Sequence, residues 1–264
     1  MGATVHLEAN EILPELVAGL RASLGSQLVG VYLYGSLLTG DFTPGVSDVD
    51  LLAATRETID GDELDRLRAM HARLVSARSA WTDRVEVAYV PLAALRTFKT
   101  ARSRIGIISP GEPLHVVDAG RDWLMNWYLV RTMGVTLVGP PPNEIITPVS
   151  TAEFVDAIRE HTCTWGHWTD RLEDLKSQSY AILTMCRTLC THRTGEHISK
   201  QQAAQWASQR LPEWAALIRQ ALAWREGVED TDPAAALPRT TAFVELVRGE
   251  VCQEIRRPET SPVR

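Results

Sequence analysis

Long uniform runs are missing from this sequence of 264 residues. No window of about 18 uninterrupted apolar residues occurs, which excludes a membrane-spanning helix. The opening stretch, MGATVHLEANEILPEL, has early acids and no basic segment ahead of an apolar core, so a secretory leader is not expected. No lysine- or arginine-rich run occurs either. Asp and Glu number 33 against 27 Lys and Arg, a formal net charge of -6. Proteins held to nucleic acid by phosphate neutralisation show a basic face, so a small molecule is the expected partner. A cationic one suits the charge balance best.

Cysteine is scarce. The 4 are Cys163, Cys186, Cys190 and Cys252, with no CxxC pair among them. Cys186 and Cys190 share a helix face if their segment is helical. Buried reduced thiols are expected rather than a disulfide or a metal site, in a cytoplasmic protein. The histidines give no zinc spacing: His161 and His167 are six apart, and His192 and His197 flank Gly195. No repeat of solenoid period is present.

What is present is ordinary globular composition, 45% hydrophobic and 23% charged, which excludes disorder as the main state. The length suits one large domain or two modest ones. Two styles of sequence meet near residues 139–150. Before them, helix and strand patterns alternate. Glu8–Leu24 reads as a helix, Leu28–Ser36 and Ser47–Thr55 as strands, Gly61–Ser79 as a helix and Arg84–Leu92 as a third strand. A short helix near Ala93–Thr100, an extended piece EPLHVV and a helix at Arg121–Met133 follow. Pro140, Pro141 and Pro142 then favour an extended connector. After it come about five helices: Ala152–Trp168, Asp170–His192, Lys200–Gln209, Glu213–Arg225 and Arg239–Ile255, with Ser199 as an N-cap. The expected fold is α+β: a small mixed-sheet domain over 1–145 and an all-α helical bundle over 146–264.

The chemistry concentrates in Tyr34-Gly35-Ser36, eleven intervening residues, then Asp48-Val49-Asp50. Asp48 and Asp50, two apart on an apparent strand, project to one side. Paired carboxylates repel unless a cation or proton lies between them, and hard oxygen ligands of this kind suit Mg²⁺. Gly35 permits close backbone approach to a ligand, and Ser36 offers a hydroxyl and an N–H to a phosphate. Glu86 alternates with Val85 and Val87 in RVEVAYV. If its strand neighbours Ser47–Thr55, all three carboxylates converge.

Residues 31–53, VYLYGSLLTGDFTPGVSDVDLLA, resemble the signature of the nucleotidyltransferase superfamily with the DNA polymerase β-type fold. LVGPP and the later stretch MCRTLCTHRTGEHISKQQAAQWASQRLPE resemble the aminoglycoside adenylyltransferases that modify streptomycin and spectinomycin. The resemblance runs from about residue 10 to 255. It implies transfer of AMP from Mg²⁺-bound ATP to a hydroxyl of such an antibiotic, with resistance as the consequence. Asp48 and Asp50, with Glu86 beside them, would hold Mg²⁺, and Glu86 matches the family's general base. Gly35 and Ser36 would contact the terminal phosphates. Arg187, Lys200 and Trp224 match nucleotide-contacting positions of the helical half.

A cationic acceptor needs acids and aromatic walls. Asp170, Glu173 and Asp174 lie at i, i+3 and i+4 and would share a helix face, with Trp165 and Trp168 just before them. The same acids also suit a solvated helix N-terminus. Two other readings stand beside the first: adenylyl transfer to a metabolite or protein hydroxyl, and a non-catalytic antitoxin-like binding module. A monomer is expected.

Overall fold

The structure is a computed structural model that describes residues 4–164, 172–228 and 231–253. Its contacts divide the chain into two units, Met1–Ser150 and Thr151–Arg264.

The first unit is built on one mixed sheet. Its strands are β1 (Leu28–Tyr34), β2 (Val49–Thr55), β3 (Val85–Pro91), β4 (Ser103–Ser109), β5 (Glu112–Ala119) and β6 (Val135–Val138), in the order β5-β4-β3-β2-β1-β6. Only β2 and β3 pair in parallel; the other neighbours are antiparallel. A parallel pair requires a crossover, and α3 (Gly61–Ala77) provides it. The remaining helices are α1 (Leu7–Leu24), α2 (Ser36–Thr39), α4 (Leu92–Thr97), α5 (Leu124–Met133) and α6 (Pro142–Ile145).

Strand parity decides which face each side chain joins. Val31, Leu33, Leu51, Ala53, Val85 and Val87 pack with Ile12, Leu16 and Leu20 of α1 and Leu67, Met70 and Leu74 of α3. Even-numbered positions, including Asp50 and Glu86, therefore occupy the other face. In the core, His71 Nε2 lies 2.5 Å from the Tyr89 hydroxyl, and burial lowers the His71 pKa to about 4, so the ring is neutral there.

The sequence pattern gives no strand at 103–109 or 135–138. In β4, Gly106 interrupts the apolar run, because a Cβ there would meet Ile59 Cδ1 at 2.6 Å. The short β6 is masked by the prolines that follow it, yet it pairs with β1 and closes that edge of the sheet. The first strand also stops at Tyr34, and Ser36 opens α2 rather than ending the strand.

The second unit contains α7 (Thr151–Thr164), α8 (Leu175–Thr194), α9 (Lys200–Arg210), α10 (Ala215–Arg225) and α11 (Pro233–Gln253). Its core is an apolar cluster that includes Leu183, Cys186, Ala204, Ile218, Phe243 and Val247. Reciprocal side-chain caps start α8 (Asp174 with Ser177) and α9 (Ser199 with Gln202). Gly195, with φ at 75°, ends α8. The sequence pattern starts the last helix at Arg239, but α11 begins at Pro233 and carries Pro238 inside it. The Asp232 side chain accepts from the Ala234 N–H at 3.1 Å and holds that early turn.

One expectation is overturned. Cys186 and Cys190 are free and buried, but Cys163 and Cys252 form a disulfide with Cα atoms 5.9 Å apart. Their separation of 89 residues hides a pairing that only the packing of α11 against α7 creates. Closing so long a loop restricts the unfolded chain. Cys163→Ser is therefore expected to lower unfolding free energy by about 2–5 kcal/mol. Urea denaturation of oxidised wild type and variant checks this; equal midpoints would refute a stabilising role.

Candidate active site

The site begins with register. Tyr34 on β1 pairs with Asp50 on β2, and Asp50 pairs with Glu86 on β3. Directly opposed residues point to the same face, so these side chains form a row across three strands. Asp48 lies one residue before β2 and brings a third carboxylate to the row. One oxygen from each of Asp48, Asp50 and Glu86 lies within 4.8 Å of the others. The condition set by the sequence, that the strand of Glu86 neighbour that of the aspartates, is met by the parallel β2–β3 pair.

Gly35 fits this arrangement because it lacks a side chain. Its φ is 76°, and a Cβ there would lie 1.9 Å from Asp50 Oδ2. The Asp50 carboxylate thus packs directly over the Gly35 backbone, and no other residue fits without displacing it. Next to it, the Ser36 hydroxyl is buried and makes no hydrogen bond. A buried hydroxyl left without a partner is costly, and a ligand oxygen at this turn would satisfy it.

Electrostatics mark the same place. Burial and, after it, the Asp48 charge raise the Glu86 carboxyl to about 7, against hydrogen bonding from Ser109 and Tyr34 that opposes the rise. The Tyr34 hydroxyl is itself buried and lacks a well-formed hydrogen bond. Burial, followed by the Glu86 charge, raises its pKa well above the usual phenol value. Three crowded carboxylates, one of them driven toward its neutral form, match the donor set of a hard divalent cation.

The other sequence candidates lie in the second unit. Arg187 is half-buried on α8. Lys200 opens α9, with its Nζ 4.4 Å from the centroid of the Tyr180 ring. Trp224 is 4% exposed within the helical core, and its indole N–H is buried without a partner. Trp165, Trp168 and Asp170 lie outside the described residues. Of the three acids expected on one helix face, Glu173 and Asp174 are described, and both precede α8, which starts at Leu175. Asp174 is its N-cap and accepts from the Ser177 N–H at 2.6 Å, which holds the carboxyl below its usual pKa. The competition between backbone capping and helix continuation explains the change.

Two residues near Glu86, Tyr34 and Ser109, carry no role in the sequence pattern. The signal for Tyr34 was its place directly before Gly35. Ser109 lay in the strand that the pattern did not reveal.

A mixed sheet with this carboxylate cluster beside a Gly-Ser turn defines a nucleotidyltransferase domain. A family model described as "Nucleotidyltransferase domain" matches residues 15–99. A second, "Aminoglycoside adenylyltransferase, C-terminal domain", matches residues 144–250. The chain thus resembles a nucleotidyltransferase domain over its first part and the C-terminal domain of aminoglycoside adenylyltransferases over its second.

Among its relatives is the aminoglycoside (3'')(9) adenylyltransferase of Escherichia coli, 27% identical over 97% of this chain and 99% of the relative. The spectinomycin 9-adenylyltransferase of Staphylococcus aureus is 27% identical over 71% of this chain and 74% of its own. In structure, the chain is similar to spectinomycin adenyltransferase AAD(9) from "Enterococcus faecialis", solved with ATP and spectinomycin. The TM-score is 0.75 at 18% identity, covering 91% of this chain and 98% of that one. Among the described residues, no helix is long and apolar enough to cross a membrane.

Proposed function

We propose that this protein transfers the adenylyl group of Mg²⁺-bound ATP to a hydroxyl of an aminoglycoside or aminocyclitol antibiotic of the streptomycin or spectinomycin type. The observation that carries this reading is the convergence of Asp48, Asp50 and Glu86 beside Gly35-Ser36. It lies in a chain that matches a family model and relatives named for aminoglycoside adenylyl transfer.

The residues take complementary parts. Asp48 and Asp50, with Glu86 at the edge of the cluster, are the groups that would hold Mg²⁺. A divalent ion bound there would offset charge on the α-phosphate and on the departing pyrophosphate. The Ser36 hydroxyl would donate to a terminal phosphate oxygen. Glu86, ionised, accepts the proton of the acceptor hydroxyl as that oxygen attacks the α-phosphorus and the bond to the bridging oxygen breaks. A sugar hydroxyl is a weak nucleophile, so a base in hydrogen-bond reach is required. In the helical unit, Arg187 and Lys200 are proposed as phosphate ligands and Trp224 as a residue near the nucleotide. Glu173 and Asp174, with Asp170 and Trp168, are proposed for the cationic acceptor.

Incubation with Mg²⁺, ATP and either antibiotic is expected to release one pyrophosphate per antibiotic and to add one adenylyl group to its mass. If no member of an aminoglycoside panel is modified, the acceptor assignment fails. Pyrophosphate release with a different hydroxyl compound would then preserve the chemistry with another acceptor.

A further inference from the structure

Arg84 lies two residues before Glu86 and is 9% exposed, a buried cation outside the carboxylate cluster. All three of its guanidinium nitrogens donate hydrogen bonds. Nε and Nη2 donate to the Ser47 carbonyl at 2.9 and 2.7 Å. Nη1 donates to the Ala80 carbonyl at 3.0 Å, and Nη2 also donates to Glu8 Oε1 at 2.9 Å. The plane lies over the Trp81 ring, 4.4 Å from its centroid. In the backbone, the Val49 N–H donates to the Arg84 carbonyl at 2.9 Å. The side chain and main chain of Arg84 therefore grip the peptide segments on both sides of Asp48.

The loop ahead of Asp48 is tied at the same point. The Ser47 hydroxyl accepts from the Thr43 N–H at 2.9 Å, and the Ser47 N–H donates to the Thr43 carbonyl at 2.9 Å. The Gly45 N–H donates to the Glu8 carboxylate that holds Arg84, at 3.3 Å. Asp48 precedes the regular ladder of β2, so strand pairing alone does not fix it. A forked donor with two N–H groups on one carbonyl does.

We propose that Arg84 is a positioning residue of the cation site. It locks the Ser47 carbonyl to β3, and so holds the Asp48 carboxylate in coordinating range of Asp50 and Glu86. The inference rests on the reading of these acids as the divalent-cation site, and concerns how this chain shapes it. Residues that orient ligands in this way typically contribute 10–100-fold in metal affinity.

The test measures Mn²⁺ binding to the nucleotide-free protein by the loss of its free-ion resonance, alongside the Mg²⁺ dependence of adenylyl transfer. Arg84→Met is expected to raise the Mn²⁺ Kd about 10-fold or more and to raise the Mg²⁺ needed for half-maximal rate, with kcat largely recovered at saturating Mg²⁺. Arg84→Lys keeps the charge but not the fork. It is expected to fall between wild type and Arg84→Met, and it carries the test if Arg84→Met does not fold. A lowered melting temperature with Kd unchanged within twofold in a folded variant would overturn the proposal, leaving Arg84 with a packing role only. Failure of the underlying reading looks different: wild type itself would then not bind Mn²⁺. Wild type that binds Mn²⁺ but modifies no aminoglycoside would sink the acceptor and leave the Arg84 proposal intact.

Discussion

Asp50→Asn is expected to reduce adenylyl transfer by about a thousandfold, the scale of losing a charged group that acts on developing phosphate charge. The substitution keeps the size and shape that pack over Gly35, so the sheet register of Tyr34, Asp50 and Glu86 should persist. What is lost is the charge of one of the two aspartates proposed to hold the cation. Folding should not suffer, because removing one of three crowded carboxylates relieves repulsion. Pyrophosphate release under saturating substrate gives the rate, and a thermal melt without divalent ion gives the stability. Turnover close to wild type would refute the assignment of Asp50 to the cation site.

Glu86→Gln separates chemistry from binding. Transfer is expected to fall by about 10²–10⁴-fold, the usual contribution of a positioned base, while ATP binding is retained. Loss of ATP binding instead would make Glu86 chiefly a metal ligand. The variant also has a stability signature. In the folded, cation-free protein, burial raises Glu86 to about 7, against an ordinary value of 4.5. Below pH 4.5 the group is neutral in both states and contributes no penalty. Between pH 4.5 and 7 the unfolded chain ionises this carboxyl while the folded protein keeps it protonated, so stability falls with rising pH and levels off above 7. Glu86→Gln without divalent ion should therefore match wild type near pH 4.5. At pH 8 it should exceed wild type by up to about 3 kcal/mol. Added Mg²⁺ should narrow that gap by stabilising only the wild-type carboxylate. A Glu86→Gln protein less stable than wild type at pH 8 would contradict the crowding. For activity the sign is reversed, since only ionised Glu86 accepts a proton: the rate should rise with pH through its pKa, which a bound cation shifts below 7.

Much of the site was legible because it is local. The interval from Gly35-Ser36 to Asp48 and Asp50 is continuous in sequence, and strand periodicity assigns the carboxylates to one side. Glu86 was legible as a candidate but not as a neighbour, since periodicity does not say which strands pair. The helical placement of Glu173 and Asp174 fails for a related reason. Helical spacing linked Glu173 to Asp174 and Asp170, whereas the Asp174 carboxylate caps the Ser177 N–H and starts the helix later. Capping competes with helix extension over distances of two or three residues, and a pattern of charges does not decide between them.

By itself the sequence determined the α+β class, the bodies of the second unit's helices and Asp48, Asp50 and Glu86 as candidate acids, because each follows from short-range periodicity or adjacent residues. It also excluded a spanning helix and long basic stretches. Tertiary structure alone decided the parallel β2–β3 register, the strands β4 and β6 with their weak local pattern, the Cys163–Cys252 bond across 89 residues, and the Arg84 grip on Ser47. Each of these joins residues far apart in the chain. Such contacts form only when long loops close to bury apolar surface, so no local window of sequence records them.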